Sequence, residues 1–504
     1  MKRTLSGNSQ IRWGAVLSYV AIVLNIGAAL FYTPWIKNQI GMSDYGLYTL
    51  AISFISLFMM DFGLGAATAR FAAKYRAEGN TAAVNDLLGL VYKLYLLIDV
   101  VACAALVVLF FCLEFLYAGL TAAELSRFKE LYVIVSAFSL CTFPFSTLNG
   151  VLGAYERFVP LKLCDVCQKV LSVAAVVCVL LCGFGLRALV LAQALVGACV
   201  VLLKWGLVKK ITPTRANWQC RDKALFRSVA GFAVWSCVAG IATRLMHTVT
   251  PSVLAAVSTS YHVAVFAPAM SISEYFYTIA AAVNGLFLPT VSRKLAEHKE
   301  QEILPLMIRV GRYQMMVLGL LYVGLCVVGR DFICLWMGRE FAPAYACALL
   351  LTFPHMIEYS QQIAHTAMVA QNKVKYTSLA WLIGSLVHVV LAVILASRYG
   401  VIGVGVAGLV GSLVAVTLCN VLYQRCLRIP MRRFYRACYW PMLIPIGGGV
   451  ALSTWLTAWL HVGGWWELLL KGGITVAVFL LLVFVLYLRK DEKMRLFAAL
   501  GFRQ

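Results

Sequence analysis

Long apolar stretches joined by short polar connections fill most of this sequence, and no other feature limits its fold as strongly. A membrane-spanning helix needs about 20 apolar residues, because each residue advances the helix by about 1.5 Å. We find fourteen stretches close to that length, at 14–36, 46–65, 91–114, 131–153, 168–185, 187–207, 228–250, 260–290, 312–330, 344–369, 376–397, 401–424, 437–461 and 466–488. This succession predicts an all-α polytopic membrane protein.

The composition narrows the class of protein further. Of the 504 residues, 62% are hydrophobic and 13% are charged, whereas an ordinary soluble domain has about 25% charged residues. These values exclude a cytosolic enzyme and a disordered chain. The net charge of +22 lies in short connections rather than on a foldable basic domain, so we expect no nucleic-acid partner.

Lysine and arginine are distributed unequally between alternate connections. We count 33 on the side that holds both ends of the chain and 8 on the opposite side. Because basic connections stay on the cytoplasmic side of a membrane, both termini are predicted to be cytoplasmic. The connections carry neither a pair of exposed carboxylates nor a donor-binding domain, so we expect no enzymatic activity, no catalytic residue, no cofactor and no bound metal.

The most polar connection in the middle of the chain divides the predicted helices into two sets of six. We predict an N-terminal lobe at 1–208 (helices 1–6), a cytoplasmic linker at 209–225, a C-terminal lobe at 226–426 (helices 7–12), helices 13 and 14 at 433–490, and a cytoplasmic tail at 491–504. Equal helix numbers in two lobes are typical of transporters that are built from repeats.

Several short motifs, in order along the chain, resemble those of one family. They are Tyr45-Gly-Leu-Tyr48, Asp61-Phe-Gly-Leu-Gly65, Arg70-Phe-Ala-Ala-Lys-Tyr-Arg76, Leu148-Asn-Gly-Val-Leu-Gly-Ala-Tyr-Glu-Arg157, Phe287-Leu-Pro-Thr-Val-Ser-Arg293, Gly338-Arg-Glu-Phe-Ala-Pro343 and Ala370-Gln-Asn-Lys373. Together they resemble the bacterial O-antigen and capsule flippases of the multidrug/oligosaccharidyl-lipid/polysaccharide exporter superfamily. The resemblance covers most of the chain. It departs in helix 7, where many members have an acidic residue and this chain has Arg244 and His247.

The resemblance implies a MATE-like fold and a flippase function. Such a protein moves a polyprenyl-diphosphate-linked oligosaccharide across the bacterial inner membrane by alternating access, for polysaccharide and lipopolysaccharide biosynthesis, and several members use an ion gradient of H⁺ or Na⁺. Membrane lipid and the polysaccharide polymerase machinery are the further partners that it implies. The alternative is a cation-coupled antiporter of the same fold for drugs or small solutes, although Arg244 suits an anionic substrate better.

Polar residues inside the predicted spans are the candidates for a site, because an ionisable group in hydrocarbon costs about 2.5–3.5 kcal/mol. In helix 10 the spacing of His355, Glu358, Gln362 and His365 places all four on one face. We interpret Glu358 as the carrier of a coupling proton or cation, with His355 or His365 as its neighbour. The alternative is an interhelical hydrogen-bond cluster that fixes packing.

Arg244 of helix 7 is the candidate ligand of the substrate diphosphate, with His247 on the same face of the helix. A guanidinium stays charged and binds phosphate oxygens in a bidentate manner. The alternative is an ion pair with Glu274 of helix 8. Both arrangements can hold in turn, with Glu274 as the partner when the substrate is absent.

Three further polar residues complete the candidate site. Arg70, at the cytoplasmic rim, is a candidate for attracting an anionic headgroup, and Asn25, near the middle of helix 1, is a candidate substrate contact. Asp61 is a candidate gating residue that holds Arg70 or caps helix 2. Gly63 and Gly65 follow it closely and are predicted bending points.

Overall fold

The computed structural model describes residues 26–58, 62–212, 215–220, 222–284, 287, 291, 293–295, 297, 299–371, 373–488 and 493. Helices account for most of these residues, and no strand occurs among them. The chain divides into two compact units, Met1–Ala264 and Val265–Gln504. Their boundary lies inside a helix, and the predicted lobe and linker boundaries stay a prediction.

The helices of the first unit are α1 (26–40), α2 (Met42–Phe58), α3 (Leu64–Ala77), α4 (Thr81–Leu116), α5 (Ala122–Thr142), α6 (Thr147–Ala154), α7 (Phe158–Leu181), α8 (Leu186–Ile211), α9 (Lys223–His247), α10 (Thr250–Val257) and the start of α11 (Ser260–Asn284). The second unit has the rest of α11, then α12 (Ile303–Met337), α13 (Pro343–Ser360), α14 (Gln362–Ala370), α15 (Val374–Cys426), α16 (Met431–Cys438), α17 (Trp440–Leu456) and α18 (Trp465–Leu482).

Nine helical segments within the described ranges are long and apolar enough to cross a membrane. Some other predicted spans correspond to shorter helices. The stretch 344–369, for example, contains both α13 and α14. The prediction of an all-α polytopic membrane protein is therefore confirmed.

The 53-residue helix α15 contains two of the predicted spans, 376–397 and 401–424. Gly400 separates them with φ 53° and ψ −127°, a conformation that an L-residue with a side chain rarely adopts. The two halves then pack closely, since a Cβ atom on Gly384 would lie 2.6 Å from the Cβ of Ala415. The predicted division into two spans is confirmed at Gly400.

A buried carboxylate joins the starts of three helices in the first unit. Thr121 and Glu124 form a capping box at the beginning of α5, in which each side chain binds the backbone N–H of the other residue. The Oε1 atom of Glu124 also accepts hydrogen bonds from Ser43 at 2.6 Å and from Ser260 at 2.5 Å. These bonds fasten the starts of α2 and α11 to α5.

Candidate functional site

The predicted helix 10 is interrupted at one residue. Gln361 (φ −97°, ψ 5°) lies between α13 and α14, and its backbone N–H binds the carbonyl of Glu358 rather than that of Ile357. The interruption thereby releases the Ile357 carbonyl from the helical hydrogen-bond pattern. A buried carbonyl without a partner is costly, so such a break needs compensating donors.

Two hydroxyl groups compensate for the released carbonyl. Ser360 Oγ lies 2.9 Å and Tyr439 Oη lies 3.1 Å from the carbonyl oxygen of Ile357. The two hydroxyls are also within hydrogen-bond distance of each other. Because Tyr439 directly follows α16, the end of that helix stabilises the interruption.

A second polar contact joins α16 to the same point. Tyr435 Oη accepts a hydrogen bond from Gln361 Nε2 at 2.8 Å and another from Asn420 Nδ2 at 2.6 Å. The residue at the break is thus held by a side chain of α16, which in turn accepts a hydrogen bond from α15. A discontinuous helix of this kind is where many transporters place their ion or substrate site.

An ionisable cluster lies one turn before the break. His355 is buried, with 3% of its surface exposed, and its Nδ1 lies 3.4 Å from Oε2 of Glu358. Its Nε2 lies 2.9 Å from Ser273 Oγ on α11, and its ring stacks on Tyr359 at 5.2 Å between centroids. The structure therefore brings together two of the predicted helix-10 residues and adds Ser273.

The other two members of the predicted polar face lie beyond the break. Gln362 and His365 belong to α14, so the face that the spacing predicted for a continuous helix is interrupted at Gln361. Glu274 follows Ser273 directly on α11, but its side chain is exposed whereas that of Ser273 is buried. The coupling roles assigned to His365 and Glu274 stay predictions.

The candidate phosphate ligand lies in the first unit. Arg244 is half-buried and His247 is exposed, both in the last turn of α9. About two turns before Arg244, Ser236 packs against α3, since a Cβ atom on Gly63 would lie 2.3 Å from the Cβ of Ser236. This part of the face serves helix packing, and the role of Arg244 stays a prediction.

The basic residues of α3 have different surroundings. Arg70 is exposed. Arg76 donates a hydrogen bond to the carbonyl of Ala154 at 2.9 Å and lies over the ring of Tyr155 at 5.1 Å, so it fastens α3 to the end of α6. The predicted site residues Asn25 and Asp61 lie outside the described residues.

Residues 12–295, more than half of the chain, match the family described as polysaccharide biosynthesis protein. The chain belongs to this family. This member is 23% identical over 228 residues to the probable low-salt glycan biosynthesis flippase Agl15 of Haloferax volcanii, a match that covers 45% of this chain and 48% of the relative. The chain thus spans about half the length of the curated relative that it matches.

Two solved structures share the fold of this polysaccharide biosynthesis protein. The lipid II flippase MurJ in an inward closed conformation has a TM-score of 0.68 at 15% identity, covering 97% of this chain and 99% of that chain. An inward-facing multidrug resistance MATE family transporter of the MOP superfamily has a TM-score of 0.66 at 14% identity, covering 82% of this chain and 98% of that chain. The predicted MATE-like fold is confirmed.

Proposed function

We propose that this membrane protein moves a polyprenyl-diphosphate-linked oligosaccharide between the leaflets of the bacterial inner membrane by alternating access, without making or breaking a bond in it. Family membership carries the proposal. It is supported by the curated relative, which is named a glycan biosynthesis flippase, and by the fold shared with a lipid II flippase. Cytoplasmic termini and delivery of the glycan to a polymerase belong to the same proposal.

The coupling part of the proposal rests on the cluster beside the break. Glu358 and His355 each change charge when they bind a proton, and their side chains are in contact, 3.4 Å apart. A proton or Na⁺ that binds at Glu358 would alter the charge next to His355, whose other nitrogen contacts Ser273 of α11. Binding of the ion would thereby change a contact between two apolar helices.

The substrate part of the proposal assigns the diphosphate to Arg244. A guanidinium fork matches two phosphate oxygens at once, which a lysine ammonium does not. His247, exposed in the same turn, would contact the sugar–diphosphate region. Arg70 on α3 would attract the anionic headgroup electrostatically before it reaches Arg244.

Deletion of the gene tests the main proposal. We expect surface polysaccharide to disappear and lipid-linked glycan to accumulate in the cytoplasmic leaflet, with both restored by the wild-type gene. The rival function is a cation-coupled multidrug or small-solute antiporter, which the shared MATE transporter fold favours. Unchanged glycan together with altered drug tolerance would establish that rival instead.

Point variants test the two sites in proteoliposomes with a fluorescent lipid-linked glycan. Glu358→Gln should translocate at the same rate with and without an imposed ion gradient, whereas the exposed control Glu300→Gln should keep the dependence of the wild type. Retained dependence in Glu358→Gln would reject the coupling role. Arg244→Ala and Arg244→Lys should both lower translocation, and normal rates for both would reject the diphosphate role.

A further inference from the structure

The short helix α16 lies where the chain leaves one apolar helix and enters the next. The second half of α15 ends at Cys426 and α17 begins at Trp440, so α16 is at the level where the two apolar helices reach water. Met431, Phe434 and Cys438 form its buried face. Arg432, Arg433 and Arg436 lie on the opposite side and are exposed; we call these three residues the arginine face.

The buried face fixes the orientation of α16. The ring of Phe434 packs against Gly311 of α12, where a Cβ atom would lie 3.0 Å from the ring. Tyr435 and Tyr439 add the hydrogen bonds to the helix break that are described above. Because these contacts hold one side of the helix, the arginine face is held outward rather than free to turn.

Among the residues that the structure describes, the arginine face has no acidic partner. Between Glu358 and Glu467 the sequence has no aspartate or glutamate. In the ranges that the structure covers, none of the three guanidiniums forms an ion pair with a carboxylate. Three cations that have no ion pair within the described ranges, at spacings of one and three residues, form a surface for an anion from outside the chain.

An exposed apolar surface adjoins these cations. Trp440, the first residue of α17, has 68% of its surface exposed, and Leu443 and Ile444 on the same side of α17 are also largely exposed. Residues at positions i, i+3 and i+4 share one face of a helix. A molecule with a phosphate next to acyl chains would contact the arginine face and this apolar surface together, which a soluble anion would not.

We propose that the arginine face and the adjoining apolar surface of α17 form a binding site for an anionic phospholipid of the surrounding membrane. The guanidiniums bind the headgroup phosphate, and the acyl chains lie along Trp440, Leu443 and Ile444. The site uses neither Arg244 nor Glu358, so it can be tested without any assay of translocation.

The test uses the full-length protein in nanodiscs that contain phosphatidylcholine and a minor fraction of phosphatidylglycerol. A phosphatidylglycerol probe with a photoactivatable group on its acyl chain is cross-linked, and the labelled peptides are identified by mass spectrometry. We expect labelling at residues 440–444. Replacing all three arginines by Gln should lower that labelling about tenfold or more, since each basic residue near an anionic surface contributes about 1 kcal/mol.

Two control variants isolate the electrostatic contribution. Replacing the three arginines by Lys keeps the charge and should keep most of the labelling. Replacing Arg293, Lys294 and Lys299 by Gln removes the same charge elsewhere in this unit and should change nothing, because Lys294 and Lys299 already pair with Glu302 and Glu297.

Four results would overturn the proposal. They are equal labelling of the Gln variant and the wild type, equal labelling by a phosphatidylcholine probe, displacement of the probe by inorganic phosphate, and preferential labelling by a polyprenyl diphosphate over phosphatidylglycerol. The third result would indicate a soluble anion as the ligand, and the fourth would indicate the transported lipid.

Discussion

Each unit of this protein has an apolar stretch that is interrupted, and the two interruptions are stabilised in different ways. At the start of α3, Gly63 has φ 74° and ψ 0° and lies so close to Ser236 that no side chain fits. Between α13 and α14, Gln361 has an ordinary φ of −97°, and hydroxyl and amide side chains satisfy the backbone there.

The difference indicates which interruption is suited to a conformational change. The geometry at Gly63 depends on the missing Cβ atom and on close packing, and neither changes when an ion binds. The hydrogen bonds at Gln361 can exchange partners at small energetic cost, and Glu358 and His355 lie within a turn or two of them. We therefore expect Gly63 to act as a fixed bend and Gln361 as a movable one.

The largest expected effect comes from Gly63→Ala. The left-handed conformation costs an L-residue about 1–2 kcal/mol, and a Cβ atom 2.3 Å from that of Ser236 adds overpacking of about 1–3 kcal/mol. We expect the free energy of unfolding in mixed micelles to fall by about 2–5 kcal/mol.

A matched glycine in α9 serves as the control for that loss. Gly231 is helical and has open space around its Cβ position, so Gly231→Ala should leave stability unchanged or raise it by up to about 1 kcal/mol. Equal stability of Gly63→Ala and the wild type would show that the bend at Gly63 is not sterically fixed.

Only part of the fold and of the candidate site could be predicted from the sequence. The apolar stretches and the division of α15 follow from the distribution of apolar residues, and the bend near Gly63 follows from the glycines at the end of a predicted span. The break at Gln361 does not, because no glycine or proline marks it and the side chains that stabilise it are 74 and 79 residues away in sequence. Ser273 was missed for the same reason, since its contact with His355 spans 82 residues.

The next largest effect concerns the released carbonyl of Ile357. Ser360→Ala and Tyr439→Phe each leave one hydroxyl near that oxygen, so each single variant should lose about 1 kcal/mol or less. The double variant leaves the carbonyl without a hydroxyl partner and should lose about 1–3 kcal/mol.

Hydrogen exchange of the amides at 361–365 should rise in the double variant, and Tyr399→Phe, at an exposed tyrosine, should match the wild type. Strictly additive losses would mean that the two hydroxyls do not share the carbonyl.

The smallest effect distinguishes a movable break from a rigid one. In a double-mutant cycle with Gln361→Ala and Tyr435→Phe, we expect a coupling energy of about 0.6 kcal/mol, as for other side-chain hydrogen bonds inside membrane proteins. A bond of that strength opens readily, because the population with it broken is about a quarter at equilibrium by the usual conversion of free energy to population. A coupling energy above about 2 kcal/mol would make the break at Gln361 as firmly held as the bend at Gly63, and the contrast between the two units would no longer hold.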